Sequence, residues 1–377
     1  MNFIHKWSQK VAPYFEKGKP LHCFYALYEA VDTFLLTPST TTQSGAHIRD
    51  AVDMKRIMIT VMIALCPALL FGLWNVGYQH YLSMGEAASI STAFLYGLMK
   101  WLPRVIVVYI SGLAIEVFFA QRRGHAVAEG FFVTGFIIPM IMPPDIPLWI
   151  LALATMFAVL FSKEVFGGTG YNFLNPALVA RTFVFFAYPS VISGDKVWIS
   201  SPADAISGAT PLMSLTTDNL PSQWELMVGA IPGSVGETCK IAILLGALLL
   251  LFTQVASWKI MFSVLIGGWL TAALFFQLDL TTIPPTTHLL LGGFMFGAVF
   301  MATDPVTATH TQAGKYLYGF LIGVFAIMIR VINKGYPEGM MLSILLMNMF
   351  APLIDYCVVQ LHIRKRNKRF IQSKRYE

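Results

Sequence analysis

Residues 131–149 read FFVTGFIIPMIMPPDIPLW, and residues 289–308 read LLLGGFMFGAVFMATDPVTA. An apolar span follows each stretch, then a Gly-Tyr pair (170–171 and 335–336) and another span. Five spans in each half would give the halves opposite orientations, as in inverted-repeat membrane proteins. The pattern predicts an all-α polytopic membrane protein with two inverted five-helix repeats and broken or short helices. Chance similarity between apolar segments is the competing interpretation.

Composition supports a membrane protein. The chain has 377 residues, of which 56% are hydrophobic and 12% are charged, with a mean hydropathy of +0.64. Soluble domains have about 25% charged residues. About ten candidate spans are delimited by apolar runs near 57–76, 101–120, 130–142, 147–162, 175–188, 240–255, 260–276, 286–302, 316–332 and 338–358. Several are shorter than the roughly 20 residues that cross a bilayer, which is tolerated where they line an enclosed cavity.

Lysine and arginine concentrate in an N-terminal arm, 1–56, and a C-terminal tail, 359–377. We therefore expect both ends to be cytoplasmic. This orientation places the first membrane repeat at 57–188, an external loop at 189–239 and the second repeat at 240–358. Because the basic tail abuts a span, a membrane surface explains its charge better than nucleic acid does.

Several common chemistries are absent from the sequence. The four cysteines are widely scattered and form no C-x-x-C motif, which argues against a zinc ribbon or a cysteine-ligated cluster within this chain alone. Neither a dinucleotide-binding glycine fingerprint nor a Walker A motif occurs. We therefore expect that the chain itself does not bind NADH or ATP.

Ionisable residues within spans are costly and are functional candidates by default. Glu116 lies in the second predicted span, Asp304 ends the eighth, and Asp355 lies near the end of the tenth. Their carboxylate oxygens suit passage of a small cation such as Na⁺ or H⁺. The alternative is that each lies at the interface and caps a helix or pairs with a cation.

Other polar residues have two interpretations each. Arg181 and Arg330 are either counter-ions for buried carboxylates or hold an anionic cofactor group. Asn172 and Asn175 lie in a glycine-rich broken segment, where amides can hydrogen-bond a heterocycle's imide edge; the alternative is that they cap the helix that begins with proline. The adjacent charges at 163–164 are interpreted as structural.

The polar 189–239 loop contains the small-residue stretch Ser207-Gly208-Ala209-Thr210. The glycine and alanine leave the backbone accessible, so a large phosphorylated group could approach the Thr210 hydroxyl. An ordinary turn is the alternative for such a short string.

Longer segments carry a family resemblance. They read YEAVDTFLLTP, SGAHIRDAVDMKRIMI, EGFFVTGFIIPMIMPPDIPLW, KEVFGGTGYNFLNPALVARTFVFFAYP, SGAT, IPGSVGE, FMATDPVTA and YPEGMML. Over nearly its whole length the chain resembles the B-subunit family of bacterial Na⁺-translocating NADH:quinone oxidoreductases. The resemblance implies a ten-helix bundle of inverted repeats in the bacterial inner membrane. It also implies a six-subunit complex that contains A, C, D, E and F subunits as partners.

The resemblance implies cofactor sites at matched positions. Thr210 would carry FMN through a phosphoester bond, attached by a flavin transferase that uses FAD. Noncovalent riboflavin would contact Asn172 and Asn175. Electrons from NADH on another subunit would then reach the FMN, the riboflavin and finally quinone.

The resemblance also implies ion and quinone positions. Glu116, Asp304 and Asp355 match positions tied to Na⁺ uptake or translocation. Gly112 matches a glycine associated with quinone and inhibitor binding, and the arm before the first span is implicated near the quinone. A second glycine of that pattern is replaced here by Leu113, which changes the expected shape of the quinone pocket.

Two other functions compete with this hypothesis. The D subunit of the Rnf complex, which links ferredoxin to NAD, also carries flavin on an SGAT motif. The long basic arm favours the first family. A flavin-free inverted-repeat channel or transporter is the third hypothesis, and the SGAT stretch in an external loop argues against it.

Overall fold

The computed structural model describes residues 11–15, 19, 25, 28, 42, 44–46, 54–123, 130–168, 170–192, 198–200, 212, 220–333 and 338–373. Within these residues the regular structure is helical and contains no strand. Apart from short helical turns, it forms ten apolar segments, five in each half of the chain. In chain order they are α1 Met54–Met84, α2 Ile90–Arg123, α3 Gly130–Ile141, α4 Leu148–Ser162, α5 Pro176–Ala187, α6 Lys240–Phe252, α7 Trp258–Gln277, α8 Pro285–Met301, α9 Gln312–Ile332 and α10 Gly339–Ser373. The protein is an all-α polytopic membrane protein, as the sequence predicts.

The ten segments differ in their ability to cross a bilayer alone. Six of the described helices are long and apolar enough to do so: α1, α2, α4 with its following turn, α7, α9 and α10. In contrast, α3 and α5 have 12 residues each and α6 has 13. These three are shorter than the roughly 20 residues that a complete crossing needs. The prediction of short helices is therefore confirmed.

Segment α8, predicted as one span near 286–302, is a broken helix. It starts with the turn of helix Pro285–Leu290, becomes extended at Leu291, and resumes as Phe294–Phe296 followed by a π-helical turn over Gly297–Met301. Gly292 has a φ of +60°, and a Cβ there would lie 2.8 Å from Leu212 Cδ2. Both the left-handed backbone and the close packing at the break therefore require glycine.

The two halves repeat one pattern of helix packing. In the first half, α2 packs on α3 and α4, α4 packs on α5, and α3 also contacts α1 and α5. In the second half, α7 packs on α8 and α9, α9 packs on α10, and α8 also contacts α6 and α10. The same five contacts recur with the segment number raised by five, whereas the extensive packing of α1 on α2 has no comparable counterpart between α6 and α7. Five crossings in each half would turn the second copy over relative to the first, as the predicted inverted repeat requires.

The halves meet along two contacts, α1 with α6 and α5 with α10. At the first, Gly246 lies so close to α1 that a Cβ would come within 2.3 Å of the Ala64 carbonyl oxygen. The interior between the halves is built from buried residues of α3 and α8, including Ile138, Met140, Phe294 and Phe296. The two short or broken segments therefore occupy the centre of the molecule.

Three helices extend beyond their predicted bounds. Helices α1 and α2 have 31 and 34 residues, longer than the expected spans 57–76 and 101–120. Helix α10 runs on to Ser373 through most of the predicted tail. The boundary at 358/359 is therefore a change from apolar to charged residues within one continuous helix. Hydropathy marks the apolar part of a helix but not where its hydrogen bonding ends.

Candidate functional site

A cavity lies between the two halves, beside α5 and the turn that follows α8. Its enclosed volume is ≈ 90 Å³, within a wider cleft of ≈ 840 Å³ that includes open solvent. Apolar side chains of α1, α3 and the α6–α7 connection form most of its wall. Its polar lining comes from Thr134, Lys163, Asn172, Asn175, Thr303 and Asp304. An apolar cavity with a few convergent polar groups is the usual form of a ligand site.

The glycine-rich segment before α5 brings both asparagines to this cavity. Gly167, Gly168 and Gly170 have φ values of +124°, +100° and +92°, which side-chain-bearing residues rarely adopt. Asn175 Oδ1 accepts hydrogen bonds from the amides of Ala177 at 3.0 Å and Leu178 at 3.4 Å. Asn175 is therefore the N-cap of α5, with proline as its first residue, as the cap interpretation predicts.

Asn172 differs from Asn175 in how its amide is used. Its Oδ1 accepts a hydrogen bond from Gly170 N at 3.3 Å, and the side chain remains half-buried at the cavity wall. Asn175, in contrast, is buried and also donates to Asp304 Oδ2 at 3.5 Å. Of the two asparagines, Asn172 is thus the better placed to bind a ligand. Contact of either asparagine with a flavin stays a prediction.

Asp304 is held in a turn that opens onto the cavity. Its carboxylate accepts hydrogen bonds from Val306 N at 3.1 Å and Thr307 Oγ1 at 3.0 Å, in addition to the bond from Asn175. It therefore joins the turn after α8 in the second repeat to the start of α5 in the first.

The Lys163 ammonium forms an ion pair with Glu116 of α2 inside the protein. Their side chains are 5% and 3% exposed. Lys163 lines the cavity, whereas Glu116 does not, so Lys163 is the member of the pair that contacts both the cavity and the interior of the first repeat. Glu116 Oε2 is buried without a hydrogen-bond partner in the described part of the chain. Next to this pair, Arg123 donates to Glu164 at 3.0 Å.

A second polar cluster lies across the interior, beside α10 and the loop before α6. Arg181 of α5 donates to Glu237 at 2.8 Å and to Glu338 at 2.5 Å, and its guanidinium lies 5.7 Å from the Trp198 ring centre. Burial raises the pKa of Glu338, and the charge of Arg181 opposes that rise. Of the two interpretations of Arg181, the structure favours the counter-ion.

Arg330 has a different role from Arg181. Its guanidinium donates to the carbonyl oxygens of His288 and of Leu291, the latter at 3.2 Å. These carbonyls belong to the end of the helical turn that opens α8. A cation at the carboxyl end of a helix is stabilised there, so Arg330 supports the break in α8.

Asp355 and Gly112, two further predicted site residues, lie away from the cavity lining. Asp355 accepts hydrogen bonds from His310 N at 2.8 Å and from Thr311 N at 3.0 Å, which ties α10 to the start of α9. Gly112 packs against Phe131, and a Cβ there would lie 1.9 Å from the ring atom Cζ.

The remaining part of the predicted site is the stretch expected to carry the covalent FMN. Its four residues, Ser207, Gly208, Ala209 and Thr210, lie outside the described residues. Leu212, which is described, is buried against the core of Leu226, Ile231, Ile283 and Leu291.

The cavity fits a flavin in part. Its volume of ≈ 90 Å³ is below the about 300–1,000 Å³ of ordinary ligand pockets, so it is too small to enclose a flavin ring. The side chains of Asn172 and Lys163, both in the lining, are donors of the kind that the carbonyls of an imide edge accept from, and the apolar wall suits an aromatic ring. The chemistry of the lining therefore fits the polar edge of a flavin, whereas the volume of the cavity does not fit its ring.

Sequence reasoning missed the position of Lys163 and the pairing of Arg181. Lys163 follows the last turn of an apolar helix, which suggests an interfacial cation, and its partner is 47 residues away. Glu237 lies just before a predicted span, in IPGSVGE, and Glu338 begins another, in YPEGMML. A carboxylate at the start of each of these two spans was the signal for a second cluster.

A family model described as the NQR2, RnfD, RnfE family matches residues 41–364. The chain belongs to the NQR2, RnfD, RnfE family. Relatives in this family include a protein of Chromohalobacter salexigens that is 47% identical, over 97% of this chain and 96% of its own length. A protein of Yersinia pestis is 45% identical over 97% and 99%, and one of Klebsiella pneumoniae strain 342 is 44% identical over 96% and 98%. All three are named as the B subunit of Na(+)-translocating NADH-quinone reductase.

Proposed function

We propose that this chain is the flavin-carrying membrane subunit of a redox-driven sodium pump. In this proposal, electrons pass from FMN on Thr210 through riboflavin to quinone, and Na⁺ leaves the cytoplasm. The shared name of relatives that match nearly the whole chain supports the reaction. The observation that carries the proposal is the cavity where Lys163, Asn172 and Asp304 converge from both repeats. Relatives that share this name favour it over an Rnf subunit or a flavin-free channel.

A bound flavin supplies reversible electron transfer, which no side chain of the cavity provides. The residues of the chain bind and orient it. The Asn172 amide would hydrogen-bond the imide edge, and the Lys163 ammonium would stabilise negative charge there. Asn175 would act mainly by fixing the start of α5, because its oxygen already accepts from two backbone amides.

The carboxylates supply the ion-binding part of the proposal. Asp304 lies on the same cavity wall, so a cation bound there would be close to charge that develops on the flavin. Glu116 becomes a cation ligand only when Lys163 moves away, because the ammonium occupies the place of a counter-ion. Lys163 therefore couples electron transfer to Na⁺ binding. Negative charge in the cavity would attract the ammonium away from Glu116, which would then be free to bind Na⁺.

The external part of the proposal concerns Thr210 and the partner subunits. Attachment of FMN requires a flavin transferase on the outer side, and electrons must arrive from a neighbouring subunit. Leu212, two residues after Thr210, packs against Leu291 and beside Gly292, at the break in α8. The FMN would thus be tethered to the side of the molecule that carries the Arg181 cluster, with the A, C, D, E and F subunits of the inner-membrane complex around it.

The proposal is tested by flavin content. The complex is purified from cells that contain the transferase, and acid extraction separates noncovalent riboflavin from covalent FMN. Asn172→Leu should lower riboflavin and leave covalent FMN unchanged. Asn333→Leu makes the same chemical change at an exposed helix end outside the cavity and should have no effect. Normal riboflavin in Asn172→Leu would contradict the site, and absence of both flavins from the wild type would contradict the function.

A further inference from the structure

An apolar groove runs along the membrane-facing surface between α7 and α9. Its volume is ≈ 460 Å³, and its walls include Phe262, Ile266, Leu317 and Phe320. Phe262 is 53% exposed and Leu317 is 47% exposed, so the described part of the chain leaves them uncovered. Both helices belong to membrane-spanning segments, where such a groove faces lipid or another protein.

Glycines explain why the groove exists. A Cβ on Gly267 would lie 2.3 Å from the Phe320 carbonyl oxygen, and one on Gly319 would lie 2.7 Å from the Ile260 carbonyl oxygen. The two helix backbones are therefore in direct contact. Larger side chains are displaced to either side of this contact, and the space between them forms the groove.

Two lysines lie at one end of the groove, in the first turns of the two helices. Lys259 Nζ donates to Gln312 Oε1 at 2.5 Å and lies 5.6 Å from the Tyr316 ring centre and 6.0 Å from that of Trp258. Neither Lys259 nor Lys315 forms an ion pair with a carboxylate of the described residues. The apolar groove thus ends at two uncompensated positive charges and two interfacial aromatic rings.

The lysines also line a second cavity, of ≈ 520 Å³. Thr309 lines this cavity; it is 2% exposed, and its hydroxyl makes no hydrogen bond with the described residues. His310 lies on the same wall. The carboxylate in this lining, Asp304, accepts its hydrogen bonds from its own turn and from Asn175. The cavity therefore has two cations and one unpaired hydroxyl in its lining, and the two cations suit a phosphate group.

We propose that α7 and α9 form a binding site for an anionic phospholipid. An acyl chain lies in the groove along Phe262 and Leu317. The phosphate lies between Lys259 and Lys315. Trp258 and Tyr316 lie at the level of the headgroup, where amphipathic rings are favoured. The site does not depend on any flavin and would exist in the complex whether or not the cofactors are bound.

The occupant is argued from charge complementarity. A helix of another subunit would cover the apolar groove but would leave two lysines and a buried hydroxyl without partners. A zwitterionic lipid would bring a phosphate together with its own cation, which the lysines would repel. An anionic lipid would fill the apolar groove with an acyl chain and neutralise the two lysines with its phosphate.

The test measures lipids retained by the purified complex after mild detergent washing, by native mass spectrometry, with phosphatidylglycerol and phosphatidylcholine as probes. The wild type should retain phosphatidylglycerol in preference. Lys259→Gln with Lys315→Gln should weaken its binding by about tenfold or more, since each lysine near a membrane surface contributes about 1 kcal/mol. Lys259→Arg with Lys315→Arg should restore it. Arg364→Gln with Lys365→Gln removes the same charge from exposed positions on α10 and should have no effect.

Ala313→Phe, which fills the groove without changing charge, should reduce retention of both lipids. Three results would overturn the proposal: equal retention of the two lipids by the wild type, an unchanged preference in the double glutamine variant, or displacement of phosphatidylglycerol by inorganic phosphate alone. A Leu317→Cys variant that cross-links to another subunit in the intact complex would also overturn it, because a protein would then occupy the groove.

Discussion

The Lys163 ammonium is paired with the Glu116 carboxylate, and Lys163 also lines the cavity between the two repeats. The pair is buried, and one carboxylate oxygen has no further partner in the described part of the chain. Burying such a pair costs desolvation energy that good geometry only partly offsets, so it is weak support for stability. A functional role explains this ion pair better: each of the two charges can leave the other for an alternative ligand.

We expect removal of one charge of this pair to be more harmful than removal of both. Lys163→Met or Glu116→Gln should each lower the free energy of unfolding by about 3–5 kcal/mol, because an uncompensated charge stays buried. The double variant should be more stable than either single variant. Thermal unfolding of the purified complex in a double-mutant cycle measures the coupling. Additive losses would mean that the two charges do not interact.

Sodium dependence tests whether the three candidate carboxylates bind the ion. Asp304→Asn and Glu116→Gln should shift half-maximal turnover to higher Na⁺, since each removes a charged ligand. Asp355→Asn should do the same and should also destabilise the start of α9 by about 1–2 kcal/mol, because the carboxylate accepts from its amides.

Thr311→Ala is the matched control for Asp355. It removes the hydroxyl that donates to Asp355 at 2.5 Å and accepts from Gly314 N, but it keeps the carboxylate. It should destabilise α9 without changing the Na⁺ dependence. If both variants shift the Na⁺ dependence equally, Asp355 acts only by supporting the helix.

Thr210→Ala should abolish the in-gel flavin fluorescence of the denatured chain when the transferase is co-expressed. The reason is that the alanine side chain has no oxygen to form the phosphoester. Ser207→Ala removes the other hydroxyl of the motif and should keep the fluorescence. Fluorescence that persists in Thr210→Ala, or that is lost only in Ser207→Ala, would move the attachment to another residue.

Gly112→Ala should lower stability by about 1–3 kcal/mol, because the new methyl group would overlap the Phe131 ring. If Gly112 also contacts quinone, the KM for quinone should rise. Phe131→Leu in the same chain should restore stability and leave the KM high. Recovery of both properties would show that the quinone effect results from packing alone.

The number of helical segments, and which of them are short, could be predicted from the sequence better than the contacts between distant side chains. Hydropathy and helix breakers locate α3, α5 and α8, because proline and glycine act locally. The Asn175 cap was predictable for the same reason. The Lys163–Glu116 pair was not, because it joins residues 47 positions apart through the packing of α2 against the end of α4. Helix ends were also poorly predicted, since exposed charged residues continue α10 without an apolar signal.

Asn175 begins α5 in the cavity, and Arg181 lies six residues later in the cluster on the other side. Six residues of helix are about 9 Å long, so one rigid element of less than two turns contacts both chambers. Its neighbour α10 packs against it. Glu338, the residue before α10, is paired with Arg181, and Asn348 of α10 lies beside Asn175. With the Asn348 amide oxygen facing Asn175, that oxygen and the Asn175 backbone nitrogen are 3.3 Å apart. An axial shift of α5 would alter both contacts by the same amount. The cavity and the Arg181 cluster thus share one rigid wall, and neither can adjust it independently.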